Sequence, residues 1–63
     1  MAPLERAFDV LEYVADRGEV RVGEICHDLK LPRPTVHRLL TVLIDRGYLD
    51  HDPARHVYRT GPT

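Results

Sequence analysis

From Lys30 to Thr41 the chain reads KLPRPTVHRLLT, and the side chains there that can do chemistry are cations (Lys30, Arg33, Arg38), an imidazole (His37) and two hydroxyls (Thr35, Thr41). Together they suit the binding of an anion. Pro32 and Pro34 bracket Arg33 just where apolar residues become periodic. A proline inside a helix removes a hydrogen bond and clashes with the preceding turn, but the first turn has N–H groups with no intrahelical acceptor, so a proline there sacrifices nothing. Pro34 is therefore expected at the first helical position. Proline also drives the preceding residue out of the α region, which puts Arg33 in an extended N-cap with its guanidinium able to swing toward an anion. The N–H groups of Thr35 and Val36 and the positive end of the helix dipole would act at the same place.

Other reactive side chains do not assemble into a site. Cys26 is the only cysteine, which excludes an internal disulfide and any paired-cysteine zinc pattern. Its neighbours Ile25 and Leu29 mark it as a small core residue, with no base beside it to make it a nucleophile. The four histidines, His27, His37, His51 and His56, fall on different elements at no metal-ligand spacing, so no metal is expected. There is no nucleophile–base pair and no phosphate-cradling glycine loop, so neither an enzyme nor a cofactor is expected.

The elements that would position the cationic run follow from periodicity. Leu4, Ala7, Phe8, Leu11, Val14 and Ala15 recur at spacings of three and four, predicting a first helix over 4–16 with that stripe buried and Gly18 closing it. Val10 and Tyr13 fall beside the stripe and are expected to face a partner. Glu19 to Val22 alternates as a short strand, and 23–29 forms a short second helix. Lys30-Leu31-Pro32 breaks it. Val36, Leu39, Leu40 and Leu43 then give a third helix ended by Gly47, with Pro34, His37, Arg38, Thr41 and Asp45 on the opposite face. Tyr48–His51 and His56–Arg59 read as two strands joined by a turn at Asp52-Pro53-Ala54-Arg55, proline in its second position.

A chain of 63 residues allows one small domain with a modest core that must hold by packing alone. No run is long enough for a membrane span, and Met1-Ala2-Pro3-Leu4-Glu5-Arg6 lacks the layout of a signal peptide, so a soluble cytoplasmic protein with no membrane partner is expected. The formal net charge is −1, but it is split: residues 1–29 carry −4 and residues 30–63 carry +3. Such a division suits one face directed at an anion.

Helix, short strand, short helix, tight turn, longer helix and hairpin resemble a winged helix-turn-helix, a mainly α fold with a small β-hairpin. The segments LERAFDVLEYVADRGEVRVGEI, LPRPTVHRLLTVLIDRGYLDHDP and YRTGP are similar, in that order and spacing, to the N-terminal DNA-binding domain of the isocitrate lyase regulator (IclR) family of bacterial transcription factors. The resemblance covers nearly all of residues 1–63, expected to form one DNA-binding domain. It implies a larger effector-binding domain that these residues do not contain, through which a small molecule would act. Two positions depart from the family pattern: Pro34 stands where serine is more usual and Lys30 where glycine is. A hydroxyl contact is lost at the first, and Lys30 strains the turn if left-handed backbone is required there.

The resemblance further implies double-stranded DNA as partner, with the third helix in the major groove and the hairpin on the backbone or in the minor groove. The candidate contacts are Arg33, Pro34, Thr35, His37, Arg38 and Thr41 on the helix, and Arg55 and His56 on the hairpin. Arg38 can pair with guanine or with a phosphate; Pro34 can touch a thymine methyl. Homodimers would read an approximately palindromic operator, with Val10 and Tyr13 as the expected pairing surface. The competing reading is a winged helix that binds protein through Val10 and Tyr13 and makes no use of Arg38.

Overall fold

A computed structural model describes residues 3–62. Met1 and Ala2, part of the run read for a signal peptide, and Thr63 lie outside the described residues. The chain forms α1 (Pro3–Arg17), β1 (Glu19–Val20), α2 (Val22–Leu29), α3 (Arg33–Asp45), β2 (Leu49–Asp52) and β3 (Val57–Thr60). The three strands make an antiparallel sheet in the order β1-β3-β2. Three helices with a β-wing are the winged helix-turn-helix expected from the sequence.

One core serves every element: Val10 and Val14 of α1, Val20 of β1, Ile25 of α2, Val36, Leu40 and Leu43 of α3, Leu49 of β2 and Tyr58 of β3. Leu29, Cys26 and Leu39 pack against it half-buried, as the spacing predicts. Gly18 (φ 91°) ends α1 with its N–H on the Val14 carbonyl at 2.8 Å, and Gly47 (φ 82°) ends the α3 turn on Ile44 at 3.0 Å. Both need left-handed backbone, which glycine adopts without a Cβ penalty.

The buried face of α1 differs from the predicted stripe. Leu4 and Phe8 are 66% and 53% exposed and Ala15 is exposed, whereas Val10 is 0% exposed. At 100° per residue the buried face is turned roughly a quarter of the circumference from the stripe. The reason is packing against several neighbours at once: the short branched Val10 and Val14 let α1 approach both α3 and the sheet, while the bulkier Leu4 and Phe8 lie outside. Val10 is therefore a core residue and cannot serve as the pairing surface expected of it.

Tyr13 is likewise committed within the chain. Its hydroxyl donates to the Asp28 carboxylate of α2, and Arg17 approaches the same carboxylate at 3.2 Å while its guanidinium stands 4.6 Å over the Tyr13 ring. His27 Nδ1 lies 3.0 Å from the other Asp28 oxygen. Tyr13 therefore clamps α1 to α2 while staying partly open to solvent. Hydrogen bonds from Tyr13 and His27 favour the carboxylate and lower the Asp28 pKa; desolvation and the bond to Asp28 raise that of Tyr13.

A lowered carboxyl pKa contributes stability that is full above the unfolded value and is lost as pH falls through the folded one. The wild-type melting temperature is thus expected to drop below about pH 4, the ordinary aspartate range. Asp28→Asn should melt lower than wild type at neutral pH and show a shallower decline between pH 5 and 2, read by circular dichroism. Parallel curves would remove the clamp from the account.

Candidate nucleic-acid interface

The N-terminus of α3 is built by its prolines, one residue earlier than predicted. Pro32 is the N-cap (φ −64°, ψ 148°), Arg33 the first helical residue and Pro34 the second. The Val36 N–H bonds the Pro32 carbonyl at 3.0 Å, so it is not available to an anion as expected. Of the four first-turn positions that lack an intrahelical acceptor, two are prolines with no N–H, which leaves Arg33 and Thr35 as the donors. The Arg33 guanidinium, no longer carried by an extended N-cap, lies across the start of α2, with Nη2 3.8 Å from where a Cβ on Gly23 would stand.

The turn before α3 carries strain. Lys30 caps α2 in the left-handed region (φ 56°, ψ 47°), its N–H on the Cys26 carbonyl, and Leu31 N–H reaches the same oxygen at 3.1 Å. This reversal sets the angle between the two helices.

Beyond the turn, α3 presents Pro34, His37, Arg38 and Thr41 to solvent, with Thr35 half-buried. The Thr41 hydroxyl donates to the His37 carbonyl at 2.9 Å, which leaves its oxygen to accept. Arg38 is exposed and has no ion-pair partner among the described residues.

The hairpin brings a second set of groups to α3. Strand pairing places His51 opposite Tyr58, and the two rings stack 4.3 Å apart at 11°. Asp52 accepts the N–H groups of Ala54 and Arg55 at 3.1 and 3.3 Å, closing a turn over Pro53-Ala54-Arg55-His56. His56 holds φ 58° at its end. Between this hairpin and the starts of α2 and α3 lies a groove of about 360 Å³ lined by Arg21, Arg33, His37, His51 and His56 over Gly23 and Tyr58. No carboxylate lines it. Among the described residues no cluster of His, Cys, Asp and Glu could hold a metal.

Arg55 is not in the groove. It turns to the other side of the hairpin and forms a two-pronged pair with Glu19 of β1, Nη2 to Oε1 at 2.8 Å and Nη1 to Oε2 at 3.0 Å. These bonds and the charge of Glu19 raise its pKa. Arg59 beside it faces Asp52 at 3.6 Å, Asp50 at 3.7 Å and Glu19 at 3.9 Å. The cations thus fall into two sets. Arg6, Arg17, Arg55 and Arg59 are paired with acids. The side-chain cations of Arg21, Lys30, Arg33 and Arg38, around the α2–α3 turn and the groove, pair with no carboxylate among the described residues, nor does that of Arg46 at the far end of α3.

Two basic side chains of the groove, Arg21 and His51, are absent from the sequence-based set. Arg21 looked like a strand residue, but it is the N-cap of α2, with its N–H on Glu24 Oε1 at 2.8 Å. Glu24 three residues on is the signal that marks that start. His51 is assigned to the groove only by the hairpin register. On another face, Leu4, Phe8, Val42 and Tyr48, each 43–66% exposed, line an apolar depression of about 380 Å³ between α1 and the end of α3.

Known proteins resemble this chain in sequence and in fold. The IclR helix-turn-helix domain model matches residues 3–53. The HTH-type transcriptional regulator BhcR of Paracoccus denitrificans (strain Pd 1222) is 35% identical over 60 residues, covering 95% of this chain and 22% of that protein. The crystal structure of an IclR family transcriptional regulator from Brucella abortus superposes with a TM-score of 0.89 at 32% identity, covering 98% of this chain and 24% of that one. A putative IclR transcriptional regulator from Silicibacter sp. TM1040 has the same fold, with a TM-score of 0.87 at 24% identity over 97% of this chain and 24% of its own. The chain spans about a quarter of the length of these relatives.

Left-handed backbone disfavours a non-glycine residue by about 1 kcal/mol. Lys30→Gly should therefore raise the melting temperature by about 4 °C or more, whereas Lys30→Ala, with the same Cβ, should not. Equal melting of all three in a thermal scan would show the turn to be unstrained.

Proposed function

The chain belongs to the IclR helix-turn-helix family of transcriptional regulators, and from that premise we propose that it seats α3 in the major groove of double-stranded DNA with the hairpin against the adjacent backbone. The observation that carries this reading is the segregation of cations: four of the five without acids, all but Arg46, surround the start of α3 and a groove with no carboxylate. Arg21, Lys30 and Arg33 take phosphates there, helped by the Arg33 and Thr35 N–H groups. Pro34, His37, Arg38 and Thr41 face the base edges, and Arg38 is the residue able to bond two acceptors on one guanine. His56 meets the backbone from the hairpin, and Arg55 follows once detached from Glu19.

The role is binding and not catalysis, in the bacterial cytoplasm; among the described residues no helix is long and apolar enough to cross a membrane. In a protein of its relatives' length, residues 1–63 would be the DNA-binding domain, and a small-molecule effector would act through the remainder. Homodimers would read an approximately palindromic operator. The apolar depression of Leu4, Phe8, Val42 and Tyr48 replaces Val10 and Tyr13 as the pairing surface, because its side chains are exposed while theirs are committed.

Titration of the labelled chain with a short mixed-sequence duplex at low salt should shift the amides of 33–41 and 51–56. The expected dissociation constant is on the order of 10⁻⁴ to 10⁻⁶ M, and added salt should reverse the shifts. Arg38→Ala should weaken binding about fivefold or more. Shifts confined to α1 and Tyr48 and indifferent to salt would instead support a protein-binding module. Sedimentation tests the pairing surface: Phe8→Asp should abolish concentration-dependent self-association while keeping the far-ultraviolet circular dichroism of wild type. Val10→Asp should unfold the chain. Unchanged association in Phe8→Asp would move the interface elsewhere.

A further inference from the structure

Glu19 has no place in the DNA contacts proposed above, yet it holds one of them. Both carboxylate oxygens are taken by the two terminal nitrogens of Arg55, at 2.8 and 3.0 Å, across 36 residues of chain. Arg55 is anchored from its own side as well, because its backbone N–H is tied to Asp52 Oδ1 at 3.3 Å. The guanidinium is thus laid along the face of the sheet away from the groove, and its charge is matched by a carboxylate. A paired arginine cannot at the same time neutralise a phosphate. Arg59 does not depend on Glu19: it keeps Asp52 at 3.6 Å and Asp50 at 3.7 Å, both nearer than Glu19 at 3.9 Å.

We propose that Glu19 is a positioning residue that competes with DNA for Arg55, so that the wing arginine exchanges the Glu19 carboxylate for a backbone phosphate on binding and Glu19 sets the affinity of that exchange. This rests on the DNA-binding reading. The pair is solvent-exposed, with 60% and 40% of the two side chains accessible, so the exchange is inexpensive and leaves Glu19 beside Arg59. Both partners of Arg55 are oxyanions with the same two-pronged geometry, which a guanidinium fits equally well. Glutamine at position 19 would keep the size and one acceptor but give up the charge that holds Arg55.

The test is fluorescence anisotropy with a labelled mixed-sequence duplex at 50 mM salt, using wild type, Glu19→Gln, Arg55→Ala and the double variant, with Arg38→Ala as a control on DNA binding itself. Glu19→Gln should bind about two- to fivefold tighter, the worth of an exposed pair. Arg55→Ala should bind more weakly than wild type, and the double variant should match Arg55→Ala, because without Arg55 the carboxylate has nothing to withhold. A gain from Glu19→Gln that persists in the double variant would overturn the proposal and reduce Glu19 to a general repulsion of DNA. An unchanged or weakened Glu19→Gln that melts like wild type would overturn it too, making the pair a brace for the wing. In both cases binding by wild type and its weakening in Arg38→Ala leave the DNA-binding reading standing. If neither wild type nor Glu19→Gln binds the duplex and Arg38→Ala changes nothing, both readings fall together.

Discussion

Everything in this fold depends on one apolar cluster in which Val36, Leu40 and Leu43 of α3 join Val10 and Val14 of α1, Ile25 of α2 and three strand residues. With a single cysteine and no metal cluster among the described residues, no covalent or coordinate staple shares the work. A helix with three buried positions at such spacing has its rotation fixed, so its other face is fixed as well. That face carries Pro34, His37, Arg38 and Thr41. The core thus decides which side chains of α3 can reach a partner.

The same constraint explains how the charge is arranged. A chain with ten acids and nine lysines and arginines can neutralise nearly all of its cations, and on α1 and the sheet it does so. Around the α2–α3 turn it does not, because no residue from Lys30 to Ile44 is an acid. Exposed ion pairs elsewhere contribute little to stability. Their larger effect is to subtract charge from faces where an anion should not settle.

The order of elements, the third helix and its polar face were legible in the sequence because each rests on local signals: periodicity, proline and glycine punctuation, and a matching order of segments. The rotation of α1 was not. Leu4 and Phe8 look like core residues by type, and only the shape of the space between α3 and the sheet shows that Val10 and Val14 fill it. Tyr13 depended on an acid fifteen residues away, Arg55 on one thirty-six away, and His51 on a strand register; none of these partners can be read from a window along the chain. Pro34 fell one position from its expected place because Pro32 also suits an extended N-cap. Lys30 was legible as strain from a departure in residue type, and the backbone angle agrees with it.

The uneven pairing of charges also bears on how two molecules meet. Asp9, Glu12 and Asp16 gather around a depression on α1, while Arg21 and Arg33, without acidic partners, line the groove, so a domain of net charge −1 is weakly repelled as a whole yet carries a separation of charge within it. In the field of a polyanion such a body feels a torque before it feels a net pull. Collisions made with the acidic flank forward are turned back or rotated, and those made with the groove forward persist. Orientation is then selected during diffusion, at a range set by the Debye length of about 8 to 10 Å, before any hydrogen bond has formed.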